Sequence, residues 1–169
     1  MPVTSTHRDE AALTLTVVSE FPAPVDRVWQ VWQDPRQLQR WWGPPGWPAT
    51  VDRHEFTVGG AVRYHMTGPD GEKSYGWWTF TVIDPPTRLA FDDGFAGQDG
   101  EPLPTDTPTR AVVTLEKIDT GTRMTLVSHF ASTEQLEQLV AMGMEEGLAA
   151  GIGQIDDLLT AAADGTTAG

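Results

Sequence analysis

From Ala49 to Phe130 the sequence alternates short β-type runs with tight turns, which leaves room for little except antiparallel pairing. The runs are Ala49–Glu55, Ala61–Thr67, Lys73–Ile83, Leu89–Asp92, Thr109–Ile118 and Thr122–Phe130. Each is rich in β-branched or aromatic residues at alternate positions. Gly59-Gly60, Pro69-Asp70-Gly71, Asp84-Pro85-Pro86 and Asp119-Thr120-Gly121 separate them, and these residue types reverse the chain within a few positions. Parallel neighbours would need crossovers of about a dozen residues, usually helical. The one longer gap, Asp92 to Pro108 (DDGFAGQDGEPLPTDTP), is acidic and rich in Gly and Pro. It reads as a solvated excursion, or as a lid that carries Phe95 or Leu103 into a cavity mouth.

Helical signals flank this meander. Leu13–Phe21 alternates and is β-branched, so it adds one more strand, ended by Pro22 and Pro24. Val25, Val28, Trp29 and Trp32 then recur at helical spacing, with Pro24 near the first turn, where a missing N–H costs little. Asp34-Pro35 interrupts, and a second short helix runs from Pro35 through Leu38 to Trp42 before the loop GPPGWP. After Phe130, Ser132 and Gln135 fit an N-cap with a capping box. An apolar stripe follows: Leu136, Leu139, Val140, Met144, Leu148, Ile152, Ile155 and Leu159. A helix of about 27 residues spans roughly 40 Å, enough to cross a whole sheet. Helices segregated against one antiparallel sheet make an α+β fold. Residues 1–12 are polar and unpatterned and are expected to be a flexible N-terminus. Residues 13–160 read as a single domain and 161–169 as a flexible tail.

Gly143, Gly147 and Gly151 form a row inside the last helix. Each costs about 0.5–1 kcal/mol relative to Ala, on the order of 2–3 kcal/mol together. Two readings offset that cost: close backbone packing against bulky Trp side chains, or open volume for a ligand between helix and sheet. A membrane dimer motif is excluded, because Glu145, Glu146 and Gln154 occupy the polar side. The chain has seven Trp and only two Tyr, which calls for a bulky core or an aromatic-lined cavity. Trp29 and Trp32 read as helix core and Trp47 lies in the Pro-rich loop. Trp41, Trp42, Trp77 and Trp78 are expected to cluster opposite the glycines.

Charge and composition narrow the partners. A net charge of −13 argues against nucleic acid and against a polybasic membrane-surface module. Without Cys there is no disulfide framework and no thiolate ligand or nucleophile. The first residues lack the basic start and apolar stretch of a signal peptide, so a cytoplasmic protein is expected. His7, His54, His65 and His129 show no metal-ligand spacing, and there is no GxGxxG, P-loop or GxSxG. No metal, cofactor or catalytic residue is singled out, and nothing distinguishes one acid–base pair among 24 carboxylates. Alternation puts Trp78, Phe80 and Val82 on the face expected to meet the helix, opposite Tyr75 and Trp77. Val62, Tyr64 and Met66 share one face of their strand. Arg63, His65, Arg123 and His129 lie opposite the apolar sets.

Several motifs occur in a familiar order: F-P-A-P-V-D-R-V-W-Q-V-W-Q-D-P (Phe21 to Pro35), L-Q-R-W-W-G-P (Leu38 to Pro44), V-G-G (Val58 to Gly60), D-P-P-T-R-L (Asp84 to Leu89), G-T-R-M-T-L (Gly121 to Leu126) and M-G-M-E-E-G (Met142 to Gly147). Over roughly Leu13 to Leu159 the chain resembles the family similar to the C-terminal domain of the activator of the heat-shock-protein-90 ATPase, within the START-like, or SRPBCC, superfamily. The resemblance implies a helix-grip fold, a curved antiparallel sheet wrapped around a long C-terminal helix, with two short helices after the first strand. It brings no trace of the separate N-terminal domain that carries most chaperone contacts in the eukaryotic co-chaperone. Relatives in the superfamily include cyclases, aromatases, hydrolases and plain carriers, so the fold alone does not choose an activity. The leading expectation is a protein that binds a small apolar ligand. Its walls would be Trp41, Trp42, Tyr64, Trp78, Phe80, Met124, Leu126, Met144, Gly147, Leu148 and Gly151. The alternatives are a chaperone-associated or stress-response interaction module, and a cyclase- or hydrolase-type enzyme using Arg63, Tyr64 or His65. A homodimer is compatible with the resemblance.

Overall fold

The computed structural model describes residues 2–164. Its centre is an eight-stranded antiparallel sheet made of β1 (Val3–Asp9), β2 (Thr14–Phe21), β3 (Ala49–His54), β4 (Ala61–Thr67), β5 (Lys73–Asp84), β6 (Arg88–Ala96), β7 (Thr109–Ile118) and β8 (Gly121–His129). The order across the sheet is β1-β2-β8-β7-β6-β5-β4-β3. Strands β3 to β8 form the expected meander, and β2 closes on β8. Two short helices, α1 (Val25–Gln33) and α2 (Pro35–Trp41), connect β2 to the far edge strand β3. Asp34 caps α2 by accepting from the Arg36 N–H, and Pro35 occupies its first turn. The fold is the curved helix-grip architecture of the START-like superfamily.

Alternation sets the inner face. Leu15, Val17 and Phe21 on β2, Val113 and Leu115 on β7, and Met124 and Leu126 on β8 are buried in register with one another. Phe91 on β6 and Trp78 and Phe80 on β5 continue the row toward β4. A bulge between Phe80 and Val82 shifts the register there. Ile83, not Val82, then shares the inner side with its neighbour Leu89 and packs on the core. Val82 therefore departs from the inward position expected of it.

Two strand boundaries also differ from expectation. Val3–Asp9, expected to fray, is an edge strand paired with β2. Its middle residues are exposed, so no burial pattern marks it. Backbone pairing holds it, while Arg8 and Thr6 reach Glu145 on the C-terminal helix. Strand β6 runs on to Ala96, four residues past the expected end at Asp92, and so takes Phe95 out of the loop. Of the tail expected from 161 to 169, residues 161–164 continue the last helix, and 165–169 lie outside the described residues.

The long C-terminal helical stretch proceeds in three segments: α3 (Thr133–Ala141), α4 (Met144–Gly153) and α5 (Ile155–Asp164). Ser132 caps α3 by accepting from the Gln135 N–H, and the Gln135 side chain accepts from the Ala131 N–H. At Gly143 the backbone turns left-handed, with φ +93°, a conformation that favours glycine and ends α3. At Gln154 the side-chain amide leaves the helix surface to donate to the carbonyls of Trp41 and Gly43, at 3.2 and 2.7 Å. This ties the α4–α5 junction to the end of α2.

Candidate functional site

Helix and sheet meet differently at the two ends of α4. At its C-terminal end the space is filled by Trp32, Trp41 and Trp78, each at most 1% exposed. Trp32 and Trp41 meet edge-on at 4.8 Å, and Trp78 stacks on Phe91 at 4.0 Å. The Trp41 indole donates to the Val31 carbonyl and that of Trp32 to the Met124 sulfur. Gly151 lies against this block: a Cβ there would stand 2.9 Å from the Trp41 carbonyl oxygen. Here the glycine permits close packing.

At the N-terminal end of α4 the same interface opens into a cleft of about 350 Å³, within the range of small-molecule sites. Its helical wall is Leu139, Met142, Met144, Gly147 and Leu148. Its sheet wall includes Tyr64 and Met66 of β4, Phe91, Asp93 and Phe95 of β6, and Leu126 and Ser128 of β8. Trp42 closes one end, edge-on to Trp78 at 4.7 Å and to Tyr64 at 6.1 Å. A Cβ on Gly147 would meet nothing within 4 Å, so this glycine faces open space. Close packing thus accounts for Gly151, while Gly147 borders open volume.

Polar groups gather at one side of the cleft. Asp93 follows Leu89 and Phe91 on the inner face of β6, with Trp78 and Thr109 as its register partners. The Thr109 hydroxyl donates to its carboxylate. Burial, with smaller contributions from the negative charges of Asp92 and Asp106, raises the Asp93 pKa to about 7. Asp106 comes from the loop after β6, where its carboxylate accepts from the Phe95 N–H at 2.8 Å. Tyr64 lies over Gly76, its register partner, and burial pushes its hydroxyl well above the ordinary tyrosine range. The buried indole N–H groups of Trp42 and Trp78 meet no acceptor.

Of the residues expected to form a wall, Trp42, Tyr64, Leu126, Met144, Gly147 and Leu148 line the cleft. Trp41, Trp78, Phe80 and Met124 do not: they are buried in the solid core behind it, and Gly151 packs on α2. Trp77 does not join the tryptophan group either. It covers Gly94 on the outer face, and Trp32 takes its place among the inner rings. Neither Arg63 nor His65 lines the cleft; His65 sits outside, with Nδ1 2.8 Å from Asp52. Asp93 and Asp106 were not singled out by sequence. The signal for Asp93 was available, since two more residues of alternation after Phe91 place it inward; ending the strand at Asp92 hid it. Leu103 stays 40% exposed, and it is Asp106 and Thr107 of its loop that reach the cleft.

Among the described residues no group of three or more His, Asp or Glu side chains is placed to hold a metal ion. Among the same residues no helix is long and apolar enough to cross a membrane.

Known structures share this architecture. A crystal structure of a Mycobacterium smegmatis protein is 49% identical, with TM-score 0.88, covering 95% of this chain and 99% of its own. A solution structure of an Arthrobacter aurescens protein is 54% identical, with TM-score 0.89, covering 94% and 92%. A Rhodobacter sphaeroides protein at 22% identity, with TM-score 0.80 and coverage of 93% and 98%, shares the fold. No curated protein matches the chain. The model of the family described as Activator of Hsp90 ATPase homolog 1-like protein matches residues 22–160. The chain belongs to that family.

Proposed function

We propose that the protein binds a small, largely apolar ligand in the cleft between α4 and the sheet. One observation carries the reading: Gly147, in the first half of α4, faces empty space in a cleft whose sheet wall includes Tyr64, Leu126 and Phe91. A folded interior normally closes such gaps. Here a glycine that costs the helix up to about 1 kcal/mol keeps one open. Binding would remove apolar wall and ligand surface from water, at about 25 cal/mol per Å².

Titration with decanol, followed by tryptophan fluorescence, tests the reading. Trp42 forms one wall of the cleft, so saturable quenching or a spectral shift is expected in the intact protein. Gly147→Leu, which takes up part of the cleft, is expected to weaken binding at least tenfold while the far-UV spectrum stays unchanged. Undiminished affinity in Gly147→Leu would place binding elsewhere and overturn the reading.

A further inference from the structure

The cleft carries an unbalanced charge. Asp93 lies on its inner wall, and Asp106 stands at its rim, with one carboxylate oxygen over Gly94 beside Trp77 and accepting from the Phe95 N–H. Among the described residues neither forms an ion pair with Lys, Arg or His, and no such side chain lines the cleft. The contrast with the adjacent residue is informative. Asp92 points to the other face of β6 and is held by Arg110 at 2.9 Å, as an ordinary surface carboxylate is. Asp93 has the Thr109 hydroxyl for a partner and an aromatic surround of Trp78, Phe91 and Phe95 in neighbouring register positions. A carboxylate half-buried among aromatic rings and without a cation is costly to keep ionised, so its positive partner has to come from outside the chain or its charge has to be given up.

The aromatic walls point the same way. Trp42, Tyr64, Phe91 and Phe95 line the cleft around these carboxylates. Aromatic faces attract cations, more strongly when solvent is excluded. Paired with carboxylates, they are suited to an ammonium group and oppose a carboxylate or phosphate head.

We propose that the occupant of the cleft is an organic cation, with its apolar body between α4 and the sheet and its ammonium group against Asp93, Asp106 adding negative charge from the rim. This rests on the cleft being a ligand site, as proposed above. A fatty acid of the same length would set a third negative charge beside two carboxylates. A neutral alcohol would gain the apolar contacts but leave the carboxylates unmatched. An amine makes both sets of contacts.

Three probes with one apolar body separate the possibilities: n-decylamine, n-decanol and n-decanoate, each titrated below its aggregation limit by calorimetry at pH 8 and moderate salt. The amine is expected to bind at least tenfold tighter than the alcohol, and decanoate more weakly than either. Asp93→Asn is expected to remove the advantage of the amine, so that amine and alcohol bind within about twofold of each other. Asp106→Asn should reduce that advantage partially, and serves as the second variant where Asp93→Asn is poorly folded. Glu134→Gln, outside the cleft on α3, should leave the order unchanged, separating site recognition from general attraction to an acidic protein. Decanol or decanoate binding as tightly as the amine would overturn the cation proposal while leaving the cleft as a ligand site. No binding by any of the three, or an amine advantage that persists in Asp93→Asn and Asp106→Asn alike, would overturn it too, and the first of these would also remove the reading on which it rests.

Discussion

Two ends of one helix–sheet interface have been built to opposite purposes. Around Gly151 the helix backbone is pressed onto the Trp41 and Trp42 carbonyls, and the space beneath holds Trp32, Trp41, Trp78 and Met124 with almost no exposure. One turn earlier, around Gly147, the helix stands clear of the sheet. The walls there are partly polar, through Asp93, Thr109 and Ser128. The same residue type four positions apart thus closes one end and opens the other. A gap can persist beside a core only if that core is rigid enough not to collapse into it. Trp32, edge-on to Trp41 and tilted against Trp78, supplies that rigidity together with the hydrogen bonds from Trp41 to Val31 and from Trp32 to Met124.

The largest test of this contrast removes part of the packed end. Trp32→Ala takes out a side chain 1% exposed and leaves a void among Trp41, Trp78 and Phe91, which neighbouring rings cannot refill. Loss of about 3–5 kcal/mol is expected, read from urea midpoints. If the packed end is what keeps the cleft open, residual folded protein should also bind decanol less well. A loss below about 1 kcal/mol would mean that the two ends do not differ in packing as described.

The next prediction concerns the polar wall. The Asp93 pKa is about 7 in the fold, against an ordinary value of 3.8, mainly because burial disfavours its charge. The folded state therefore holds this proton more tightly than the unfolded chain. Its contribution to stability is complete below about pH 4, declines as pH rises, and is gone once pH has passed about 7. The ceiling is about 4 kcal/mol at 1.36 kcal/mol per unit, lowered by solvent access to the cleft. Asp92 and Asp106 push in the same direction and the Thr109 hydrogen bond opposes them. His54 on β3, lowered by burial, acts with the opposite sign, weakening the fold as pH falls through its range. Comparing wild type with Asp93→Asn from pH 5 to 8 cancels His54. The stability of the variant relative to wild type should rise with pH and level off near pH 8. A flat difference would place the Asp93 carboxyl in water.

At the packed end, Gly151→Ala should destabilise by about 1–2 kcal/mol. Overpacking against a backbone oxygen, which cannot swing aside, outweighs the gain in helix propensity. The change is measurable by thermal or urea unfolding. A neutral or stabilising result would erase the distinction between the two glycines.

How far this contrast was legible in the sequence depends on what each feature rests on. Alternation of side chains has a period that the chain displays, so β2 to β5, β7 and β8 and the inward Trp78 and Phe80 could be read directly. The short connections then forced the meander, and Asp34-Pro35 marked the start of α2. The edge strand β1 carries no such pattern because most of its residues face solvent on both sides; it exists by backbone pairing with β2. The bulge before Val82 and the left-handed turn at Gly143 are single-residue decisions of the backbone that a periodic stripe conceals. In the site, the Gly147, Met144 and Leu148 wall followed from the helical row. Which indoles stop short of the cleft did not, because Trp41 and Trp42 are adjacent in sequence and differ only in how α2 ends. Asp93 was hidden by a strand boundary placed at Asp92, four residues too early.

Gly147 is where stability and function can be pulled apart. Its backbone is helical, with no left-handed angle to accommodate, and a Cβ would meet nothing within 4 Å. Gly147→Ala should therefore stabilise the protein by about 0.5–1 kcal/mol, the usual gain in a helix interior, whereas the same substitution at Gly151 destabilises it. A longer side chain extends into the space that the ligand would take. Gly147→Leu should keep most of that helical gain and bury its own methyl groups against Leu126 and Phe91, yet lower decanol affinity at least tenfold. A residue retained only for structure would not show both effects, since nothing structural is lost when the cleft is filled. Gly147→Leu that binds as the wild type does, or Gly147→Ala that unfolds more easily, would mean that the open end is not held open by this glycine.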